Sequence, residues 1–436
     1  MKRSTLPYAL TAALVLAGCT TSVDSRVEQD ADNPVPSDSQ VASQQIGEVD
    51  FRDPEQCAAF ADKPAELAKA VVAVNGSPVS GTIHDFAANR PADWSGEFSA
   101  SSADGQRLQF IGAGADGVVA SLQILPEPRP APPSNAGIWQ AGVFKPFENT
   151  ELLSEQLPEA AAPAALAGSL NNGRATWIEQ LVDPKQPPFA GEMAWRIMTA
   201  DFAGGTAREV TSSWVLTGEQ TVPAPTPWFA PVATSSHVFA ETYVREGDTW
   251  TQAVVKAKVD DPSKVEIIKP ARLPVAVGEQ VAWVEDTTNN GLDADRDVFT
   301  IRWNDSSDPV KLELADYFKV QWLAADANNL IVTLQDRCSA RTWTGAFDRG
   351  SNSFKSWVYT RADGVAASLT AGVYAWGNGS GNVNGDMYVW DIAADTAQYL
   401  GSTPGFSVPF ALVEGIAKPG FPEHSEVPLV AWQVGK

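Results

Sequence analysis

"MAWRIMTADFAGGTAREVTSS", residues 193–213, reads as two apolar strands around one tight turn. Ala203-Gly204-Gly205 supplies the positive φ that a short hairpin needs. Just upstream, "RATWIEQ" (174–180) is another short run rich in β-branched and aromatic residues. The same form returns as "SHVFAETY" (236–243), "QVAWVED" (280–286), "NLIVTLQD" (329–336), "GVYAWGN" (372–378) and "PLVAWQV" (428–434).

Counted from Trp177 through Phe239, Trp283, Val332, Trp376 and Trp432, the spacings are 62, 44, 49, 44 and 56 residues. A period near 45 with insertions points to a radial or stacked repeat. Most runs follow another apolar segment, such as "WFAPVAT", "RLPVAVG", "FKVQWLA" or "VAASLTA". Most precede a hairpin, such as "WTQAVVKAKVDDPSKVEII", "DVFTIRWNDSSDPVKLEL" or "DMYVWDIAADTAQYL". Four strands per unit make the blade of a β-propeller. The expected fold class is all-β, a β-propeller of four-stranded blades, with seven blades favoured over six. Further strands are expected in 97–125 and 137–147. Because the last run ends beside the carboxyl terminus, the last blade is expected to take its outer strands from the front of the domain.

The hairpin at 193–213 resembles the repeat of TolB-like propellers. There a strand ends in Asp, a Gly-rich turn follows, and the next strand begins with a basic residue; Asp201, Gly204, Gly205 and Arg208 take those places. Asp391 in "DMYVWDIAADTAQYLG" matches more loosely, with no glycine in its turn. The resemblance covers roughly residues 95 to 436 and implies the fold alone.

The amino end has a different character. Met1-Lys2-Arg3-Ser4 precedes a 12-residue apolar run, Leu6 to Ala17, which is the charged and apolar layout of an export signal. A membrane-spanning helix needs about 20 such residues. Leu16-Ala17-Gly18-Cys19 closely resembles the lipobox of bacterial lipoproteins, which implies cleavage before Cys19 and a diacylglycerol on its thiol. Thr20 to Asp50, with seven acidic residues and one basic, is too poor in apolar content to order itself and reads as a tether. The expected order is a signal peptide at 1–18, lipidated Cys19 and tether at 19–50, a lead-in at 51–95 and the propeller at 96–436. Within the lead-in, 53–74 is expected to be helical, capped by Asp53 and broken near Pro64. "PEPRPAPPSN" (126–135) and "QLPEAAAPAALAGS" (156–169) read as surface insertions.

Formal charge is −22, which argues against nucleic-acid binding and against hugging an anionic bilayer. With Cys19 consumed by lipid, Cys57 and Cys338 remain, either as one disulfide or as two separate buried thiols.

Gly112, Gly114 and Gly117 spell a formal G-x-G-x-x-G, but a strand and not a helix follows, so the glycines read as a hairpin. The sharpest chemical feature is "EDTTNNGLDADRDVF" (285–299). Asp286, Asn290, Asp293, Asp295 and Asp297 crowd one turn, as oxygen ligands of Ca²⁺ do. Thr288 in the third place and Asp297 in the twelfth depart from a calcium loop, so a solvated acidic turn stands beside that reading. His84, His237 and His424 show no metal spacing. Trp177, Trp283, Trp376 and Trp432 are expected to pack between blades. No catalytic residue stands out.

The sequence therefore favours a membrane-anchored extracytoplasmic lipoprotein whose propeller binds an envelope protein or glycan. Two alternatives remain open. One is a carboxylate-dependent polysaccharide hydrolase or lyase, and the other a calcium-stabilised scaffold.

Overall fold

Each meander in the sequence closes into its own antiparallel sheet. In the computed structural model, the described residues are 66–93, 106–114, 117–124, 136–140, 143–151, 162–182, 192–218, 222–223, 230–286, 297–305, 307–314, 318–336, 341–360, 366–370, 372–378, 385–403, 411–414 and 431–434. The signal peptide, Cys19, the tether, Cys57, Cys338 and His424 lie outside them.

Six sheets are complete four-stranded meanders. The first runs Gln106–Gly114, Gly117–Ile124, Ala136–Gln140 and Val143–Pro146. The second runs Ala162–Asn171, Arg174–Val182, Glu192–Asp201 and Thr206–Ser212. The third runs Val232–Ala233, His237–Glu246, Thr249–Lys258 and Asp261–Ile268. The fourth runs Arg272–Val277, Gln280–Asp286, Asp297–Trp303 and Val310–Leu314. The fifth runs Phe318–Ala325, Asn329–Asp336, Thr342–Asp348 and Ser353–Thr360. The sixth runs Ala366–Thr370, Val373–Asn378, Gly385–Asp391 and Thr396–Thr403.

The first strands of these sheets neighbour one another in order. Ala411–Glu414, paired in parallel with Ala431–Val434, lies between the sixth sheet's first strand and that of the first sheet. The ring is thereby closed. The fold is a β-propeller. Six ring positions hold complete meanders, and the one between the sixth and first sheets is represented by two strands among the described residues.

Blade-on-blade packing explains the composition of the strands. A strand covered on both faces has no solvent side, so alternation disappears; every residue of Asn329–Asp336 is buried. Trp177 packs with Val119 and Ala136 of the first sheet, Trp283 with Phe239 and Val254 of the third, and Trp376 with Ile331 and Val358 of the fifth. These three tryptophans therefore fill the gap to the preceding blade, as expected. Phe239 does not share their place. It turns toward the fourth sheet, and Ala240 faces back to Ile178 and Trp195 of the second. The third sheet's first turn is longer: Ala233 pairs with Val238, whereas Asn171 pairs directly with Arg174. Sequence spacing alone could not see that shift of one residue.

Other expectations are corrected. Of the stretch expected to be helical, 53–65 lies outside the described residues, and the remainder is one turn, Leu67–Ala70, followed by the strand Val71–Val74. Its β-branched valines pair with the outer edge of the fourth sheet instead. "APAALAGSLN", which overlaps the supposed insertion at 156–169, is the innermost strand of the second sheet, Ala162–Asn171. Small residues are needed there because the first two blades nearly touch at the axis. A Cβ on Gly112 would fall 1.6 Å from the Gly168 carbonyl oxygen. In the Ala203-Gly204-Gly205 turn only Gly204 has positive φ; a Cβ on Gly205 would crowd Asp201.

The expected supply of the last blade's outer strands from the front of the domain falls partly on 51–65 and 94–105, outside the described residues. The described front segment, 66–93, runs as a strap along the rim of three other blades. Val71–Val74 and Ser77–Pro78 extend the fourth sheet, Thr82–Asp85 adds in parallel to the fifth, and Asp93 bridges to Tyr399 of the sixth. Phe86 stacks on Trp376 and Tyr388, with centroids 6.4 and 5.8 Å away. Glu148–Glu151 covers the outer edge of the second sheet in the same manner. Covered edges cannot recruit foreign strands.

Candidate functional site

The two ends of the ring differ. One end carries the tight turns that join first to second strands, and these turns are stitched together. Asn171 donates from its side chain to the carbonyls of Ala233 and Gly278. Glu279 accepts from Asn172 Nδ2 at 2.8 Å and from the Ser235 N–H at 3.0 Å. Asp326 accepts from the Gly372 N–H at 2.9 Å. Blades two to four, and five to six, are thus tied turn to turn. The opposite end carries the outgoing ends of the second strands, at Val182, Glu246, Asp286, Asp336 and Asn378. This is the candidate binding end.

Four consecutive blades carry a carboxylate on the second strand: Glu179, Glu241, Glu285 and Asp336. Glu179 and Glu285 occupy corresponding places, two residues after Trp177 and Trp283. Glu179 is fully buried and doubly engaged. Arg196, its direct cross-strand neighbour, donates from Nε at 2.7 Å, and Trp177 donates from Nε1 at 2.8 Å. Glu285 is 18% exposed and is paired with Arg302. Asp336 is buried against Arg341, whose Nε donates at 2.7 Å and whose guanidinium lies over the Phe318 ring.

Glu241 of the third sheet is different. It is 1% exposed and turns toward the fourth sheet. It accepts from the Leu273 N–H at 2.9 Å and from Gln252 Nε2 at 3.4 Å. Burial pushes its carboxyl up to about 7, against the opposing pull of the Leu273 N–H and the nearby Arg272 charge. Its cross-strand neighbour is Val254, where the second sheet has an arginine.

Of the expected calcium ligands, Asp286 closes one strand and Asp297 opens the next, so the acidic stretch joins the two strands at the candidate binding end. Asn290, Asp293 and Asp295 lie outside the described residues. Among the described residues no three His, Cys, Asp or Glu side chains converge as a metal site. His84 Nε2 lies 3.0 Å from Asp395 Oδ1 on the rim, and His237 Nδ1 lies 2.8 Å from Ser236 Oγ. Sequence reasoning missed the buried carboxylates, although a signal was present. "TWIEQ" and "AWVED" place Glu two residues after Trp in equivalent runs.

No protein-family model and no curated protein matches the chain. Among solved structures it is similar to an oligogalacturonate lyase in complex with manganese, at 10% identity and a TM-score of 0.43, covering 72% of this chain and 85% of that one. It is similar to the uncharacterised protein lmo1340 from Listeria monocytogenes EGD-e, at 9% identity and a TM-score of 0.40, covering 78% and 99%. It is also similar to the β-propeller domain of the Trilobed protease from Pyrococcus furiosus, at 9% identity and a TM-score of 0.38, covering 70% and 88%. At such identities the likeness is one of fold. Among the described residues no helix is long and apolar enough to cross a membrane.

Proposed function

We propose that the chain is an extracytoplasmic protein held at the membrane by lipid on Cys19, and that its propeller binds an envelope protein or glycan without chemistry of its own. The observation that supports binding over catalysis is the engagement of the four carboxylates described on the second strands of blades two to five. Glu179 and Asp336 are buried in arginine pairs, Glu285 is paired with Arg302, and Glu241 is buried against backbone. A general acid or nucleophile must reach its substrate. Loops carried on a rigid scaffold suit recognition.

The test uses the ectodomain, residues 20–436. Incubation with a panel of neutral and acidic polysaccharides, read by reducing ends and unsaturated-uronate absorbance, is expected to give no product. Saturable binding to an envelope protein or glycan fraction is expected instead. Turnover of any polysaccharide that disappears in a carboxylate variant establishes the hydrolase or lyase reading. Cys19→Ala is expected to move the full chain from the membrane pellet to the soluble fraction, even at high salt.

Two smaller assignments belong to this reading. A Cys57–Cys338 disulfide rests on cysteine count alone, since these two remain in an exported chain once Cys19 carries lipid. Two free thiols in a non-reducing mass measurement remove the bond. Calcium at Asp286 to Asp297 is checked by melting with EDTA or millimolar Ca²⁺, and an unchanged Tm leaves a solvated turn.

A further inference from the structure

Three unusual features meet at the seam between the third and fourth blades. Leu273 adopts φ of 56°, a left-handed conformation that costs a non-glycine residue energy. Its N–H is held by the buried Glu241 carboxyl, and the strand pairing is irregular between Arg272 and Val275. On the same seam the Trp283 indole Nε1 is buried without a hydrogen-bond partner, whereas the equivalent Trp177 donates to Glu179. Burying an unmet donor is itself unfavourable.

We propose that this seam is a pH-responsive hinge, in which the Glu241 carboxyl latches the first strand of the fourth blade to the third blade. The neutral acid accepts the Leu273 N–H within an apolar wall of Phe239, Val254, Val281 and Trp283. The carboxylate cannot remain in that wall without water or a counter-charge. Loss of the proton therefore loosens the seam and admits water at residues 271–273.

Two of the groups around the latch, the Leu273 N–H and Arg272, favour the carboxylate, and burial outweighs them. Arg272, on the first strand of the fourth sheet, is the charge that favours the carboxylate. Gln252, on the third strand of the same sheet as Glu241, bonds both Glu241 and the Tyr243 hydroxyl. Glu285 on the fourth sheet's second strand is already paired with Arg302. Burial is the largest influence on Glu241 and raises its carboxyl toward neutrality.

The test is amide hydrogen exchange on the whole ectodomain between pH 5 and pH 8.5, corrected for intrinsic exchange. Amides of 238–242 and 272–277 are followed, with 175–180 of the second sheet as internal reference. Protection at the seam is expected to fall about tenfold relative to the reference as pH rises through neutrality. Glu241→Gln, which accepts the same bond without titrating, is expected to remove that dependence. Glu241→Met fills the same volume and serves if the amide variant is poorly folded. Seam protection that tracks the reference at every pH in the wild-type chain overturns the proposal. So does a pH dependence that persists in either variant.

Discussion

Glu179 and Glu241 sit in neighbouring blades, on second strands of the same kind, and both are buried. Their fates diverge because of what stands opposite. Arg196 faces Glu179 across the ladder, and Trp177 adds a second donor. Val254 faces Glu241, which must use the backbone of the next blade. A guanidinium across the ladder gives Glu179 a charged partner, whereas burial without one raises the Glu241 carboxyl. One blade therefore holds a paired carboxylate, while its neighbour holds one that answers to pH.

The largest expected effect comes from breaking the Glu179–Arg196 pair. Arg196→Met leaves Glu179 buried and unpaired, which should cost about 3–5 kcal/mol in denaturant unfolding. Adding Glu179→Gln should recover part of that loss. A single variant as stable as wild type would mean that the pair contributes nothing.

The next effect is on the pH profile. The native chain holds the Glu241 proton up to about 7, while the unfolded chain releases it near 4.5. Between those values the native state binds more protons, so stability falls as pH rises. The fall attributable to Glu241 should be on the order of 3 kcal/mol, at ~1.4 kcal/mol per pKa unit. Glu241→Gln should flatten that part of the curve, as followed by urea midpoints from pH 4 to pH 8. An unchanged slope would place the titration elsewhere.

The two tryptophans sharpen the comparison further. Trp177→Phe removes a donor from a buried carboxylate and should cost about 1.5–3 kcal/mol beyond the change in packing. Trp283→Phe removes an indole N–H that has no partner, so it should cost clearly less. Equal losses would show that ring volume outweighs hydrogen bonding at both sites. The smallest effect is expected for Glu285→Gln. Its pair with Arg302 is partly exposed and should be worth about 0–1 kcal/mol.

Much of the architecture was legible in local sequence. Five of the six short β-branched and aromatic runs, those at 174–180, 236–243, 280–286, 329–336 and 372–378, are second strands, and the hairpins that follow them supply the outer strands. Asn172-Gly173 and Asp201 mark turns with their own chemistry; both Asn172 and Gly173 have positive φ. The candidate site was only half legible. Glu179 and Glu285 could be found by their spacing from Trp, but nothing near Glu241 announces Val254 as its neighbour or Leu273 as its donor.

By itself, the sequence determined the strands, their grouping in fours and the fold class, because each depends on residues within one hairpin or its neighbour. Only the tertiary structure decided the path of the strap, the shifted register of the third blade and which carboxylates meet a guanidinium. Those outcomes depend on contacts between distant segments, such as the Lys311 N–H donating to the Asn75 side chain 236 residues away. A period of two specifies that a strand forms. It does not specify which edge the strand will meet, nor whether a guanidinium or a valine waits there.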